Sequence, residues 1–242
     1  GSGTIGFALA KAFSKLGAQT ILVDKDEIAL EESVAKLGVG HKYFPIDVTH
    51  SDAANQAMLA AINNFGGLDI LISNAGAAHA GPMLGISNEE LRNAFELNFF
   101  SHYSFSTEAA KILKDQNRGG QILFNISKQA VNPGKNFGAY GLPKATTFFL
   151  MRQLALELGS DGIRVNGINA DRIRSGLLTD DFISSRAKSR GVSESEYMAG
   201  NLLNKEVTAE HVADAFTALA CAESTTGHVM TVDGGNIEAS LR

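Results

Sequence analysis

The sequence has little of what marks secreted, membrane or disulfide-rich proteins. It contains no tryptophan and one cysteine, Cys221, so no disulfide can form within the chain. Because disulfides persist mainly in oxidising compartments, a single cysteine favours a cytoplasmic location. No apolar run approaches the roughly 20 residues that span a bilayer, and no charged segment followed by an apolar core opens the sequence. We therefore expect neither a membrane span nor a signal peptide.

Charge and metal-ligand patterns exclude two further classes. Lysine and arginine number 21 against 26 aspartates and glutamates, which gives a formal net charge of −5. A mildly acidic chain argues against a nucleic-acid surface and suits a soluble protein. The six histidines form no His-x-x-x-His pair and have no cysteine partner, so we predict no metal site.

The remaining composition fits one α/β domain. The chain has 242 residues, of which 44% are hydrophobic, enough for a single core over 1–242. Short apolar runs alternate with stretches of helical spacing. The predicted strands are Gln19–Asp24, Tyr43–Asp47, Leu68–Ser73, Gln121–Ser127, Ile163–Asn169 and His228–Val232. The predicted helices are Ile5–Leu16, Ile28–Leu37, Ala53–Phe65, Glu89–Leu113, Ala145–Leu158 and Ala209–Ala222. This alternation predicts a three-layer, doubly wound parallel sheet (a Rossmann fold).

Two regions depart from the alternation. The stretch 170–207 is long and polar and holds no predicted strand, which is typical of a substrate lid. The sequence also opens on a glycine turn that runs straight into a helix, with no strand before it. In the strand order 3-2-1-4-5-6 that first strand is central. We therefore expect a sheet that lacks its first strand in this sequence, and a natural chain that continues upstream.

The opening turn is the first candidate binding site. Gly3 and Gly6 bracket Thr4 and Ile5 at the start of a helix, where free backbone N–H groups and the helix dipole favour a pyrophosphate. A flexible glycine-serine segment without a ligand is the alternative. Asp24 ends the next strand, 18 residues after Gly6. A carboxylate there can bind the ribose hydroxyls and repel a 2′-phosphate, which favours NAD over NADP, although a solvated turn acid is also possible.

Two more strand ends carry residues suited to a nucleotide. Asp47-Val48 follows the predicted strand Tyr43–Asp47, and its carboxylate could accept from an adenine amino group. A helix N-cap is the alternative, although Ser51 or Asp52 would serve that purpose better. Asn74-Ala75-Gly76 follows another strand, and small residues there allow the backbone to approach a ligand closely.

The strongest chemical signal is the set Ser127, Tyr140 and Lys144, with Asn98 upstream. Tyr140 and Lys144 are four residues apart on a helix, so they share a face. An ammonium beside a phenol lowers the pKa of the phenol, which would make Tyr140 a general acid and base. Ser127 ends a predicted strand and could hydrogen-bond a substrate oxygen. A surface helix pair is the alternative interpretation of Tyr-x-x-x-Lys.

Taken together, these motifs resemble the short-chain dehydrogenase/reductase family over nearly the whole sequence. The resemblance rests on Gly3-Thr4-Ile5-Gly6, Asp47-Val48, Asn74-Ala75-Gly76, Asn98, Ser127, Tyr140-Gly-Leu-Pro-Lys144, Arg164-Val165-Asn166 and Val232-Asp233-Gly234-Gly235. It implies hydride transfer between NAD and a secondary alcohol or carbonyl. It further implies that Lys144 binds the nicotinamide ribose, that Asn98 holds a water of a proton relay, and that Ile173 and Ser175 contact the nicotinamide carboxamide.

Stretches such as FNISKQAVNPGKNFGAYGLPKA and TVDGGNIEASLR look more specifically like the dehydrogenase part of bifunctional aldolase/short-chain dehydrogenase proteins. That likeness implies an upstream aldolase-like domain and a small hydroxyaldehyde, sugar or sugar derivative as substrate. The family resemblance also implies a homo-oligomer, a tetramer or dimer that pairs through Glu89–Leu113 and Ala145–Leu158. A non-catalytic nucleotide-binding module of the same fold is the rival interpretation.

Several positions depart from the family pattern. Thr4 stands where a middle glycine is usual, and Lys128 competes with Ser127 for the catalytic serine position. The spacing of 13 residues to Tyr140 favours Ser127.

Charged and titratable residues near the predicted pocket leave further alternatives open. Arg172 and Arg174 follow the fifth predicted strand and could grip a carboxylate or phosphate, or equally form salt bridges. His79 lies in the loop after Gly76, where it could line the substrate pocket or face solvent.

Overall fold

A computed structural model describes residues 1–78 and 80–236. Its six strands are β1 Ile21–Asp24, β2 Lys42–Pro45, β3 Ile70–Ser73, β4 Gly120–Asn125, β5 Ile163–Ala170 and β6 Val229–Val232. Its α-helices are α1 Thr4–Lys15, α2 Glu27–Leu37, α3 Ala53–Phe65, α4 Asn88–Phe95, α5 Ser101–Gln116, α6 Gly138–Leu158, α7 Asp180–Arg190, α8 Glu194–Met198 and α9 Ala209–Cys221. His79 and residues 237–242 lie outside the described part.

All described strand pairs are parallel, and they form two sheets. One sheet joins β1 to β2, and the other has the order β3-β4-β5-β6. A cavity of about 610 Å³ separates them, lined by Leu22 of β1 and Leu71 of β3. No residue in the described part supplies a strand between β1 and β3. The expected parallel α/β architecture and the expected missing central strand are therefore both observed.

Helices cover both faces of the four-stranded sheet. Because side chains alternate along a strand, Leu123 of β4 packs with α1 and α9. Its neighbours Ile122 and Phe124 pack on the opposite face with α5 and α6. All three side chains are fully buried. Burial on both faces explains why β4 is an almost continuous apolar run rather than an alternating one.

The long helix predicted over Glu89–Leu113 is interrupted. A π-helical turn, Glu96–Phe100, separates α4 from α5, and the Ser101 N–H donates to the Glu96 carbonyl five residues back. π-turns of this kind are rare and accumulate at functional sites. The sequence prediction missed it because one extra residue in a turn leaves the apolar periodicity on either side intact.

The end of β4 and the start of α6 differ from the predicted boundaries, and this changes the elements on which predicted site residues lie. β4 ends at Asn125, so Ser127 lies beyond the strand and caps a 3₁₀ turn, Lys128–Ala130. α6 begins at Gly138 rather than Ala145, so Tyr140 and Lys144 both lie inside it. The sequence placed that start late because glycine, proline and polar residues obscure the helical period there.

The segment after β5 contains two short helices with their own small core. Thr179 caps α7, and Ser193 and Glu196 form a capping box on α8. Buried side chains of both helices pack together, among them Ile183, Ala187, Tyr197 and Met198. Across the described residues, no helix is long and apolar enough to cross a membrane.

Candidate active site

A second cavity, of about 700 Å³, lies at the carboxyl ends of β3, β4 and β5. Ser127, Tyr140 and Lys144 line it, together with the glycine turn at Gly3–Gly6. In open parallel sheets, ligands bind at this edge, near the point where the strand order reverses. The fold therefore brings the predicted catalytic set and the predicted nucleotide turn into one space.

Tyr140 and Ser127 meet inside this cavity. Both residues are buried, and the Ser127 hydroxyl is close enough to the Tyr140 phenol to act on its pKa. Burial raises the pKa of Tyr140 to about 12, although the Ser127 hydroxyl acts in the opposite direction. The sequence predicted a lowered pKa, whereas the structure shifts the pKa upward because desolvation of the phenolate is the larger effect.

Lys144 lies beside the ring of Tyr140, and no ion pair joins its ammonium to the Tyr140 hydroxyl group. Its Nζ is 5.8 Å from the centroid of the Tyr140 ring and donates to the Asn125 carbonyl at 3.1 Å. Burial lowers the pKa of Lys144 to about 8, because no carboxylate in the described part pairs with it. The nearby His102 is fully buried, and burial together with Lys144 holds its pKa well below the usual value.

Asn98 projects from the π-turn and holds the loop after β3. Its Oδ1 accepts from the Ala77 N–H at 3.2 Å, and its Nδ2 donates to the Ala77 carbonyl at 3.0 Å. A Cβ on Gly76 would lie 2.8 Å from Asn98 Oδ1, so only glycine fits between them. The Asn98 carbonyl accepts from Thr147 at 2.7 Å. The role of Asn98 in a water relay stays a prediction.

The two candidates for the catalytic serine position, Ser127 and Lys128, have different neighbours in the structure. Ser127 faces Tyr140, whereas the Lys128 Nζ forms an ion pair with Asp171 at 2.5 Å. Asp171 also accepts from Asn236 at 2.6 Å. Ser127 is therefore the hydroxyl beside the phenol, and Lys128 is held by a buried carboxylate at the cavity wall.

The glycine turn suits an anion. Gly3 precedes α1 with no side-chain cap, and the first turn of α1 contains no acidic residue. The first N–H groups of the helix are therefore free of competing carboxylates at the cavity. A Cβ on Gly6 would collide with the Gly1 carbonyl. This bare helix start fits the pyrophosphate of a dinucleotide.

The other predicted cofactor residues are divided between the two cavities. Asn74 and Gly76 line the catalytic cavity, whereas Val48 and Ala75 line the cavity between the sheets. Asn74 Oδ1 accepts from Asn125 Nδ2 at 2.8 Å.

The two predicted cofactor acids lie outside the lining of both cavities. Asp24 accepts from the Ser2 N–H at 3.1 Å and from the Ser2 hydroxyl at 3.0 Å, and these hydrogen bonds lower its pKa. Asp47 accepts from the backbone and hydroxyl of Thr49, which lower its pKa. Asp24 is therefore adjacent to the glycine turn, and Asp47 closes a local turn.

The two arginines after β5 behave differently. Arg172 lines the catalytic cavity, as do Ile173 and Ser175, and it adopts a left-handed φ of 52°. Its guanidinium lies 4.8 Å from the Tyr197 ring centroid and donates to the Tyr197 carbonyl. Arg174 is outside the cavity lining, bound to Glu206 and Asp180, each at 2.7 Å. Its two carboxylate partners explain why the salt-bridge alternative holds for Arg174.

The structure adds residues that the sequence analysis did not single out. Asn132, Lys135, Phe137, Phe182, Arg186 and Arg190 also line the catalytic cavity. Phe182, Arg186 and Arg190 are four residues apart, so they share one face of α7. That spacing is readable in the sequence, but its partner loop, 132–137, could not be located without the fold. In the described part, no cluster of three or more metal-ligating side chains occurs.

Comparison with known proteins identifies the class. Residues 2–236 match a family model of the short-chain dehydrogenase/reductase type described as "Enoyl-(Acyl carrier protein) reductase". The chain therefore belongs to the short-chain dehydrogenase/reductase family, whose oxidoreductases act on CH–OH groups and bind NAD(P).

Individual relatives share the fold over almost the whole chain. The oxidoreductase YuxG of Bacillus subtilis is 32% identical over 97% of this chain, which spans only 36% of that relative. The L-sorbose reductase of Gluconobacter frateurii, solved with NADPH and L-sorbose, is 26% identical with a TM-score of 0.88, covering 97% of this chain and 92% of that one. The 3-ketoacyl-(acyl-carrier-protein) reductase of Brucella melitensis, solved with NADH, is 25% identical with a TM-score of 0.85, covering 97% and 94%.

Proposed function

We propose that the protein catalyses reversible hydride transfer between NAD and a small secondary alcohol or its carbonyl, namely a hydroxyaldehyde, sugar or sugar derivative. The observation that carries this proposal is that the buried side chains of Ser127, Tyr140 and Lys144 line one cavity together with the glycine turn. A non-catalytic nucleotide-binding module has no need of a buried acid, hydroxyl and amine at one point.

In this mechanism, bound NAD(H) supplies or accepts the hydride. Ser127 holds the substrate oxygen, and Tyr140 exchanges a proton with it. Because the pKa of Tyr140 is about 12, the phenol keeps its proton at neutral pH and can donate it to a carbonyl during reduction. Lys144, with a pKa of about 8, is mostly protonated at pH 7 and can resupply that proton while binding ribose hydroxyls.

The preference for NAD over NADP rests on Asp24. Its carboxylate accepts from Ser2, directly before the glycine turn, so it lies near the place where the adenosine ribose would follow the pyrophosphate. A carboxylate there accepts from ribose hydroxyls and repels a 2′-phosphate. Contacts from Ile173 and Ser175 to the carboxamide, and from Asp47 and Val48 to the adenine, belong to the same proposal.

Further parts of the proposal concern the context of the domain. The segment 170–207 acts as a substrate lid on a single nucleotide-binding domain in the cytoplasm. Apolar side chains exposed on the segment around α5 and on α6, among them Phe100, Tyr103 and Phe149, support assembly into a tetramer or dimer. An upstream aldolase-like domain is proposed on the sequence resemblance alone; this chain spans 36% of the Bacillus subtilis relative. Sedimentation analysis tests the assembly, and the natural sequence before Gly1 tests the extra domain.

Replacement of Tyr140 by phenylalanine tests the catalytic proposal. Tyr140→Phe removes the proton donor while keeping the ring, so we expect kcat to fall by about 10³-fold, because general acid catalysis contributes at this scale. The affinity for NAD, measured by calorimetry, is expected to stay within about threefold of the original. Tyr43→Phe is the matched control, since the Tyr43 hydroxyl makes an exposed hydrogen bond to Glu31 away from the cavity while its ring is partly buried. A variant that retains a tenth of the activity would exclude Tyr140 as the acid.

A further inference from the structure

The lining of the catalytic cavity carries an unusual excess of positive charge. Among the described lining residues, six are basic and one, Asp171, is acidic. The basic residues are Lys128, Lys135, Lys144, Arg172, Arg186 and Arg190. The whole chain has a net charge of −5. This cavity therefore has the opposite sign to the protein, and such a concentration of one sign attracts a ligand of the other.

Three of the six cations already have polar partners, whereas Lys135, Arg186 and Arg190 have no carboxylate partner in the described part. Asp171 holds both Lys128 and Arg172, and Lys144 is bound to the Asn125 carbonyl. Arg186 has no carboxylate within ion-pair distance in the described part. Its guanidinium carbon instead lies 5.7 Å from the Phe137 ring centroid and 5.9 Å from that of Phe182. The two rings, themselves in an edge-to-face contact, fix the direction of the guanidinium.

Buried side-chain nitrogens without hydrogen-bond partners also occur among the residues that line this cavity. Three buried side-chain nitrogens of lining residues have no hydrogen-bond partner: Asn132 Nδ2, Arg172 Nε and Arg186 Nε. Arg172 Nε is still 3.5 Å from Asp171, so Asn132 and Arg186 are the two left without any acceptor. No buried side-chain oxygen among the described lining residues lacks a partner. Because unpaired buried donors are costly, these two suit an acceptor-rich group that arrives with the ligand.

We infer that the substrate of the proposed reaction carries an oxyanion group, a carboxylate or a phosphate ester, and that Arg186 binds it together with Asn132. This inference rests on the proposed function and narrows its substrate class. A guanidinium donates two parallel hydrogen bonds to such a group. The site lies on the loop before α6 and on α7, so the anion is held by the lid segment while the reacting carbon faces Tyr140. Arg186 is thus a specificity-determining residue.

The test compares matched pairs of carbonyl substrates in the full natural chain. Acetoacetate is compared with acetoacetamide for the carboxylate arm, and dihydroxyacetone phosphate with dihydroxyacetone for the phosphate arm. We expect kcat/KM to favour the anionic member of at least one pair by tenfold or more. Arg186→Met, which keeps an unbranched apolar stem between the two rings, is expected to reduce that ratio to within threefold. Arg186→Lys should retain part of the preference.

A matched variant and a binding measurement complete the test. Arg152→Met is the control, since Arg152 also lies over a ring, Phe148 at 5.8 Å, but away from the cavity lining. Inorganic phosphate and malonate are also titrated into the NAD complex. We expect a saturable rise in melting temperature that Arg186→Met abolishes and Arg152→Met keeps.

The outcomes separate this inference from the proposed function. Equal rates within both pairs, an Arg186→Met effect confined to the KM for NAD, or anion stabilisation unchanged in Arg186→Met would each overturn it. An anion effect that depends on Arg186, without turnover of any probe, would support the anion site and count against the proposed reaction.

Discussion

The two sheets differ in how completely they assemble the site. The four-stranded sheet β3–β6, whose middle strands β4 and β5 are largely buried, brings Ser127, Tyr140 and Lys144 into one cavity. The two-stranded sheet β1–β2 carries the predicted adenosine contacts Asp24 and Asp47, which bind backbone and hydroxyl groups of their own neighbourhood. In the proposed function, one sheet therefore holds the residues for hydride transfer, and recognition of the nucleotide depends on how the two sheets are joined.

Packing around the strands gives this contrast its physical basis. β4 has hydrogen-bonded neighbours on both sides, β3 and β5, and helices on both faces. β1 pairs only with β2, and its other side borders the 610 Å³ cavity. Fewer contacts per residue mean a lower local free energy of opening, so we expect the β1–β2 sheet to be the more easily opened part of residues 1–242 when no strand precedes them.

Two leucine-to-alanine substitutions, one in each sheet, are expected to give the largest test of the difference in stability between the sheets. Leu123 of β4 and Leu22 of β1 are 0% and 4% exposed, but only Leu22 lines the open cavity. We expect Leu123→Ala to lower the free energy of unfolding by about 3–5 kcal/mol, the range for a fully enclosed leucine. Leu22→Ala is expected to cost about 2 kcal/mol or less, since its side chain already borders a void. Urea denaturation measures both, and equal losses would remove the distinction between the sheets.

On α6, which packs against the four-stranded sheet, Lys144 is expected to reduce stability. Burial lowers its pKa from 10.5 to about 8, so keeping it charged at pH 7 costs up to about 3 kcal/mol. Lys144→Met should therefore raise the free energy of unfolding at pH 7 while abolishing activity. Between pH 8 and pH 10.5 the folded protein releases the proton before the unfolded chain does, so the penalty shrinks and is gone above pH 10.5. Denaturation at pH 7 and at pH 10.5 checks the sign.

The same lysine predicts a pH profile. If Lys144 resupplies the proton, the rate of carbonyl reduction should be level below about pH 8 and fall above it. Tyr140, with its pKa of about 12, should produce no break in this range. A reduction rate that rises between pH 8 and pH 10 would contradict this assignment.

The smallest expected effect lies in the nucleotide sheet. Asp24→Ser removes the carboxylate beside the glycine turn, so we expect the ratio of kcat/KM for NAD to that for NADP to fall by about tenfold. Asp26→Ser is the matched control, because Asp26 caps α2 through the Ala29 N–H and serine can keep that bond. An unchanged ratio in Asp24→Ser would place the adenosine ribose away from Asp24.

Some of the site was readable from the sequence because its signals are local. The four-residue spacing of Tyr140 and Lys144 and the glycine turn before a helix each fix geometry over a few residues. The parallel sheet followed from the alternation of apolar runs and amphipathic stretches. These features depend on backbone periodicity, which the residue types determine directly.

The features that the sequence did not reveal depend on long-range contacts. The direction of the Tyr140 pKa shift depends on burial among distant elements, and the pairing of Lys128 with Asp171 joins residues 43 positions apart. The separate fates of Arg172 and Arg174 depend on Glu206 and Tyr197, which only the folded chain brings close. Side-chain partners at such separations carry no periodic signal.

The extra residue in the π-turn Glu96–Phe100 sets the direction in which the Asn98 side chain points. An α-helix advances about 100° per residue, so one residue fewer in this turn would rewind the segment as a regular helix and rotate Asn98 away from Ala77. The loop next to Gly76 would then lose its clamp although no catalytic side chain had changed. We expect the deletion of one residue here to reduce activity more than many substitutions would. The number of residues in this segment therefore matters to the active site as much as its functional groups do.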